Sequence, residues 1–217
     1  MIIGIDLDNT IANLDPVFGK VATKMGLGNF EGCGKHAVKF ALTKEDGSDL
    51  LWQKLQGQVY GAEYHQASVY PHAAETILKW CNSANIEVSI VSHKTRYGHQ
   101  DEGGVVLHDA AMSWLMAGGI VGNSAILPEN VYFEVTQEKK LERILSLNCD
   151  VFIDDLVAIL DHAQFPFKTE GLLFSPHDNI ERNKKDRIMQ SWFEINAFID
   201  MKLSAIKKSK ELPNGTY

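Results

Sequence analysis

Two carboxylates stand two positions apart in Asp6-Leu7-Asp8-Asn9-Thr10, directly after the apolar run Ile2-Ile3-Gly4-Ile5. Like charges this close at the end of a strand disfavour joint ionisation unless a cation or a proton transfer uses them. A divalent metal resolves the conflict. Further along, Ser92 ends a second apolar run, Asp154 and Asp155 end a third, and Lys140 lies in the segment before it. In open parallel sheets ligands bind beyond the carboxyl ends of the strands, so these residues converge on one crevice. Acidic metal ligands, a hydroxyl and a cation are the parts needed to hold a dianionic phosphoryl group beside Mg2+.

Positioning such a set requires a sheet, and the apolar runs recur in strand-then-helix order, which predicts an α/β chain with a Rossmann-like parallel sheet covered by helices. About five strands are expected, at 2–6, 86–92, 131–134, 151–154 and 171–174, several rich in Val, Ile, Leu or Phe as strands buried on both faces are. The interval between the first two is far longer than one crossover helix needs. Within it, Asp15-Pro16 opens a helix carrying Val21 and Met25 and stopped by the glycines at 26 and 28. Helices at 35–42 and 49–59 follow, the latter with Leu51, Leu55 and Val59 four apart, separated by the turn-rich Glu45-Asp46-Gly47-Ser48. Pro71 opens the helix that returns to the sheet, with Ala74, Ile77, Leu78 and Cys81 as its apolar stripe. The expected organisation is a core of residues 1–12 and 71–217 with an inserted α-helical cap at 13–70.

Asp6-x-Asp8-x-Thr10, Ser92 after Val88-Ser89-Ile90-Val91, a lysine, and Val151-Phe152-Ile153-Asp154-Asp155 resemble, in order, the four motifs of the haloacid dehalogenase superfamily. The resemblance covers the core, and the insert is similar to the helical C1-type cap of many members. It implies that Asp6 is a nucleophile that becomes an aspartyl-phosphate, and that Asp8 is general acid and base. It further implies that Ser92 and Lys140 bind the phosphoryl oxygens, with Asn9 and Thr10 completing and steadying that loop. Mg2+ would be held by Asp6, Asp155 and the backbone carbonyl of Asp8, with Asp154 in support. Lys139 neighbours Lys140; at 100° per residue Lys140 lies closer to the face marked by Leu141, Ile144 and Leu145.

The implied reaction is Mg2+-dependent hydrolysis of a small phosphate monoester, because expelling an alkoxide needs a proton donor where Asp8 stands and expelling a halide does not. The double aspartate of the fourth motif also looks like the 5'(3')-deoxyribonucleotidase branch, which makes nucleoside monophosphates one substrate group beside sugar phosphates. A phosphotransferase or mutase would use the same residues, and a noncatalytic phosphate-binding module is the reading from another class.

Other features have plainer readings. Trp52, Tyr60, Tyr64 and His65 in the insert are expected to be packing, and His93, Lys94, Arg96, His99 and His108 a surface loop. Gly103-Gly104 and Gly118-Gly119 lack the strand-loop-helix context of a phosphate loop and are expected to be structural. Cys33, Cys81 and Cys149 have no ligand-like spacing and are read as reduced packing residues. A net charge of -7 over 217 residues argues against a nucleic-acid polymer or an anionic membrane as partner, leaving a small phosphorylated metabolite. The lysines at 202–210 continue an amphipathic pattern and are read as a solvated helix face. Met1 runs straight into an apolar strand with no signal-like lead, so cytoplasmic residence is expected.

Overall fold

The computed structural model describes residues 1–46, 49–98, 104–176 and 187–211. The chain begins with β1 (Ile2–Ile5), followed by β2 (Ala12–Asn13), α1 (Asp15–Lys24), α2 (Lys35–Asp46), α3 (Leu50–Tyr60) and β3 (Ser68–Val69). Next come α4 (Ala73–Cys81), β4 (Glu87–His93), α5 (Leu107–Ala117), β5 (Val131–Glu134) and α6 (Gln137–Ser146). The last elements are β6 (Val151–Asp154), α7 (Val157–Leu160), β7 (Glu170–Phe174), β8 (Arg187–Met189) and α8 (Trp192–Glu211).

Six strands form one parallel sheet in the order β5-β4-β1-β6-β7-β8. The Rossmann-like α/β class is therefore as expected, with one strand more than the five anticipated. β8 is three residues long at the sheet edge, and the polar, charged stretch before Arg187 hid it. The chain visits β1, β4 and β5 on one side and then crosses to β6 on the other, so the order reverses at β1, and the crevice beyond this reversal is where such sheets bind ligands. Register brings the strand ends level: Ile5 pairs with Ile90 of β4 and Ile153 of β6.

Apolar burial holds this frame. Ile3, Ile5, Ile90, Val151 and Ile153 are fully buried, each burial of a Leu- or Ile-sized side chain being worth about 1.5–3 kcal/mol. Gly4 has a specific steric role: a Cβ there would lie 2.6 Å from Phe152 Cδ2 and 2.9 Å from Cys149 Sγ, so glycine lets the Phe152 ring lie against β1. The Lys140 ammonium stands 5.5 Å from that ring's centroid.

Between β1 and α4 the chain leaves and re-enters through β2 and β3, which pair antiparallel, Ala12 with Val69 and Asn13 with Ser68. The helices α1 to α3 occupy the intervening segment. Phe18 of α1 stacks on Trp52 of α3 at 5.2 Å between centroids and meets Tyr60 edge-on at 5.7 Å. α1 starts where Asp15-Pro16 places it, but Leu14 is the cap residue; the Asp15 carboxylate instead accepts from the Lys35 backbone N–H at 3.2 Å and so secures the start of α2.

Several boundaries depart from expectation. α2 runs on to Asp46, so Glu45 and Asp46 are helical where a turn was anticipated, and Gly47 and Ser48 lie outside the described residues. α4 begins at Ala73, not Pro71, because His72 adopts a left-handed φ of 67°. α5 was not anticipated at all, although Leu107, Ala111 and Leu115, four apart and buried, mark its inner stripe. Gly118 then ends it, and Gly119 turns the chain at a φ of 66°. Gly103 is outside the described residues. The cysteines are free thiols, Cys149 buried and Cys33 and Cys81 partly so. Among the described residues no helix is long and apolar enough to cross a membrane.

Candidate active site

The loop after β1 is a tight turn in which the backbone N–H groups of Thr10, Ile11 and Ala12 all donate to the Leu7 carbonyl and Asn9 N–H donates to Ala12. Asn9 sits at a φ of 60°, a left-handed conformation that Asn tolerates better than most residues. Its Oδ1 accepts from Leu14 N–H at 3.3 Å, and the Trp192 indole of α8 donates to the Thr10 carbonyl at 3.0 Å. The turn is thereby fastened on both sides, and it presents Asp6 and Asp8 to the crevice.

Asp6 is 5% exposed. Its Oδ1 accepts from Lys140 Nζ at 2.6 Å, and Thr10 Oγ1 approaches Oδ2 at a long 3.5 Å, leaving Oδ2 the less engaged oxygen. Lys140 is buried and also donates to Asp154 Oδ2 at 2.7 Å. It reaches this position because α6, capped by Thr136 accepting from Lys139 N–H, turns Lys140, Leu141 and Ile144 inward. Lys139 points away and pairs with Glu142 on the surface. Leu145, expected on the buried face, is 59% exposed. Asp154 is fully buried, its other oxygen accepting from Leu156 N–H at 2.9 Å.

Asp8 is held differently. Its Oδ1 accepts from the Tyr64 hydroxyl and its Oδ2 from Lys94 Nζ, both at 2.6 Å. The expectation that Lys94 belongs to a surface loop is overturned: it is 4% exposed, its backbone N–H donates to the Glu134 carbonyl, and His108 contacts its carbonyl oxygen at 2.8 Å. Tyr64 likewise is not packing alone. The pattern Ser92-His93-Lys94, directly after a buried strand end, was the available signal for Lys94, whereas nothing in the local sequence distinguishes Tyr64 from its neighbours. Trp52 is packing as expected, and His65 bonds the Ala62 carbonyl on the surface. His93 contacts the Val135 carbonyl and Arg96 lies beside the Tyr97 ring; His99 lies outside the described residues.

Asp6, Asp8, Ser92, Lys140 and Asp155 line one cavity of about 250 Å³, joined by Lys35, Gln56 and Tyr60 from the insert and by Lys94. Asn9, Thr10 and Asp154 do not line it; Thr10 approaches Asp6, Asp154 accepts from Lys140, and Asn9 fastens the loop to Leu14. Ser92 is 1% exposed, and its Oγ has no hydrogen-bond partner among the described residues. A buried hydroxyl left this way is costly unless a ligand completes it.

The electrostatics call for a cation. One carboxylate oxygen each from Asp6, Asp154 and Asp155 lie within 4.8 Å of one another. Burial, opposed by Lys140 and reinforced by Asp154 and Asp8, pushes Asp6 up to about 7. Asp155 is raised well above the carboxylate range by burial and then by Asp6 and Asp154. Lys140 is raised: burial disfavours its charge, but Asp154 and Asp6 more than offset this, so it stays cationic. An oxygen-only donor set with surplus negative charge fits a hard divalent ion such as Mg2+.

No protein-family profile and no curated protein matches the sequence. Solved structures do. The chain is similar to a haloacid dehalogenase family hydrolase from Deinococcus radiodurans R1 with bound phosphate and sodium (17% identity, TM-score 0.53, 92% of this chain and 94% of that one). It is also similar to the protein YfnB of Bacillus subtilis bound to magnesium (14%, 0.54, 92% and 98%). A third is L-2-haloacid dehalogenase of Xanthobacter autotrophicus with chloropropionic acid covalently bound (9%, 0.53, 92% and 98%). What this chain shares with all three is the fold.

Proposed function

We propose that on this haloacid dehalogenase fold the chain catalyses Mg2+-dependent hydrolysis of a small phosphate monoester through an aspartyl-phosphate on Asp6. The observation that carries the reading is the orphaned, buried Ser92 hydroxyl on the same cavity as the Asp6 carboxylate and the Lys140 ammonium. Hydroxyl and ammonium together suit non-bridging phosphoryl oxygens.

In the first step Asp6 Oδ2, the less engaged oxygen, attacks phosphorus while the bond to the ester oxygen breaks. Asp8, entering the step protonated, delivers that proton to the ester oxygen, and the ion pair with Lys94 and the Tyr64 contact hold the carboxylate that results. In the second step Asp8 takes a proton from water as the water attacks phosphorus and the bond to Asp6 breaks, releasing phosphate and restoring the carboxylate. Lys140 and Ser92 balance charge on the phosphoryl oxygens, and Asn9, Thr10 and Asp154 keep the loop and the lysine in place. Mg2+, held by the Asp6 and Asp155 carboxylates and the Asp8 carbonyl, would supply charge neutralisation at the phosphoryl group. The insert at 13–70 acts as the lid over the crevice, contributing Lys35, Gln56 and Tyr60 to its lining.

The covalent dehalogenase shares the fold, but displacing a halide needs no proton donor, and a fixed Asp8 would then have no task. The test is release of p-nitrophenol from p-nitrophenyl phosphate with Mg2+, with chelator, and by Asp6→Asn. Turnover with Mg2+ that is lost with chelator and in the variant supports the mechanism. Wild-type rates from Asp6→Asn would sink it.

A further inference from the structure

Three lysines line the cavity, and two are spoken for. Lys140 pairs with Asp6 and Asp154, and Lys94 pairs with Asp8. Among the described residues Lys35 forms no ion pair with a carboxylate; its ammonium stands 5.9 Å from the centroids of both Phe18 and Tyr60, on the insert side of the crevice. The start of α2 is secured by Asp15, so the lysine's placement follows from the backbone. Tyr60, Asp155 and Asp8 outweigh burial and hold it cationic. Burial raises the Tyr60 hydroxyl to about 12, so it remains a neutral donor. Gln56 adds an amide to the same wall.

This wall offers polar donors and little stacking surface. The Tyr60 ring carries Lys94 at 4.9 Å and the edge of Phe18, while the Tyr64 ring carries Lys94 at 4.8 Å and Trp114 edge-on. Trp52 is stacked on Phe18. A nucleobase needs an open aromatic face, and these rings are engaged. On this side a Cβ on Gly57 of α3 would lie 3.8 Å from Gly98 Cα, so the helix packs against the loop after β4.

We propose that Lys35, with Gln56 and the Tyr60 hydroxyl, forms a subsite for a negative charge on the leaving group, making the preferred substrate a short phosphate monoester with a second anionic group. This rests on the phosphatase reading and narrows it to acidic esters over nucleotides. Lys35 is the lysine of the crevice without a carboxylate partner among the described residues, whereas Lys140 and Ser92 are the groups assigned to the phosphoryl oxygens.

The experiment compares kcat/KM of the full chain with Mg2+ on phosphoglycolate, ethylene glycol bisphosphate, ethyl phosphate, phosphoethanolamine and adenosine monophosphate. The two acidic esters should exceed ethyl phosphate by roughly 10- to 100-fold, the range of one charge-assisted hydrogen bond, with phosphoethanolamine lowest. Lys35→Met should collapse the ratio of phosphoglycolate to ethyl phosphate towards one, and Lys35→Arg should restore most of it. A wild-type enzyme that prefers adenosine monophosphate overturns the subsite. So does an unchanged ratio in Lys35→Met, which would place Lys35 on the phosphoryl group common to all five. If no ester is hydrolysed, the phosphatase reading has failed, and calorimetric affinities for phosphoglycolate and ethyl phosphate test the subsite by the same ratio.

Discussion

Asp6 is one buried carboxylate on which stability and chemistry make opposite demands. Its folded value of about 7 lies above the ordinary 3.8, so between these values the folded state holds a proton that the unfolded chain has released. The metal-free protein should therefore lose stability as pH rises from about 4 to about 7, and a shift of this size is worth at most roughly 4 kcal/mol. Asp6→Asn lacks that titration; its thermal midpoint should fall less over the window, and added Mg2+ should recover the wild type at pH 7.5 but not the variant. Parallel pH profiles for the two proteins would refute the assignment. Tyr64→Phe removes one of the two contacts that aim Asp8 and should lower kcat by about tenfold, with KM nearly unchanged. An unaltered kcat would make Tyr64 a packing residue after all. The carboxylates, Ser92 and the lysine of α6 were readable because each ends or faces an apolar element. Lys94 had only its place just after a buried strand end as a signal, and Tyr64 and Lys35 had none, since contact between segments distant in sequence is what brings Tyr64 to Asp8 and Lys35 to the cavity.

At the scale of elements, uninterrupted apolar runs explain why β5 and β6 lie where the sequence places them, to the residue. β6 is buried along its whole length and so has no polar alternation to blur its ends, while β5 is a half-buried edge strand whose run of Val131, Tyr132 and Phe133 still marks it. β8 is short and follows a charged stretch, and the stripe of α5 is carried partly by an alanine, so neither shows a strong period. Gly4 ties an element to the site: β1 can lie against Phe152 only without a Cβ, and Phe152 lies beneath Lys140. Gly4→Ala should cost about 1–3 kcal/mol by overpacking and lower turnover as well, read by urea denaturation and steady-state kinetics. Full stability in that variant would show that the ring has room to move.

Taken whole, the molecule buries the insert and one side of the sheet in a single apolar cluster: Phe18, Trp52 and Leu55 belong to it together with Ile5, Ile90 and Trp192. The other side is a smaller cluster around Leu141, Ile144 and Phe152. With its core continuous, the insert should not melt ahead of the sheet, so tryptophan fluorescence and far-ultraviolet circular dichroism should give coincident urea midpoints, and Trp52→Phe should not separate them. An early fluorescence transition that disappears in Trp52→Phe would reveal an independently melting insert. The paired strands β2 and β3 carry a consequence for ancestry. Because exit and return are hydrogen-bonded neighbours, the ends of segment 14–67 are already together, whatever lies between them. Closing such a loop costs only about 0.6 kcal/mol more for each doubling of its length. A gene encoding this core could therefore lengthen or exchange the intervening piece while the strand pairing that closes it stays in place, so long as the replacement again covers the apolar face that Phe18, Trp52 and Leu55 cover and again offers Asp8 a partner where Tyr64 stands.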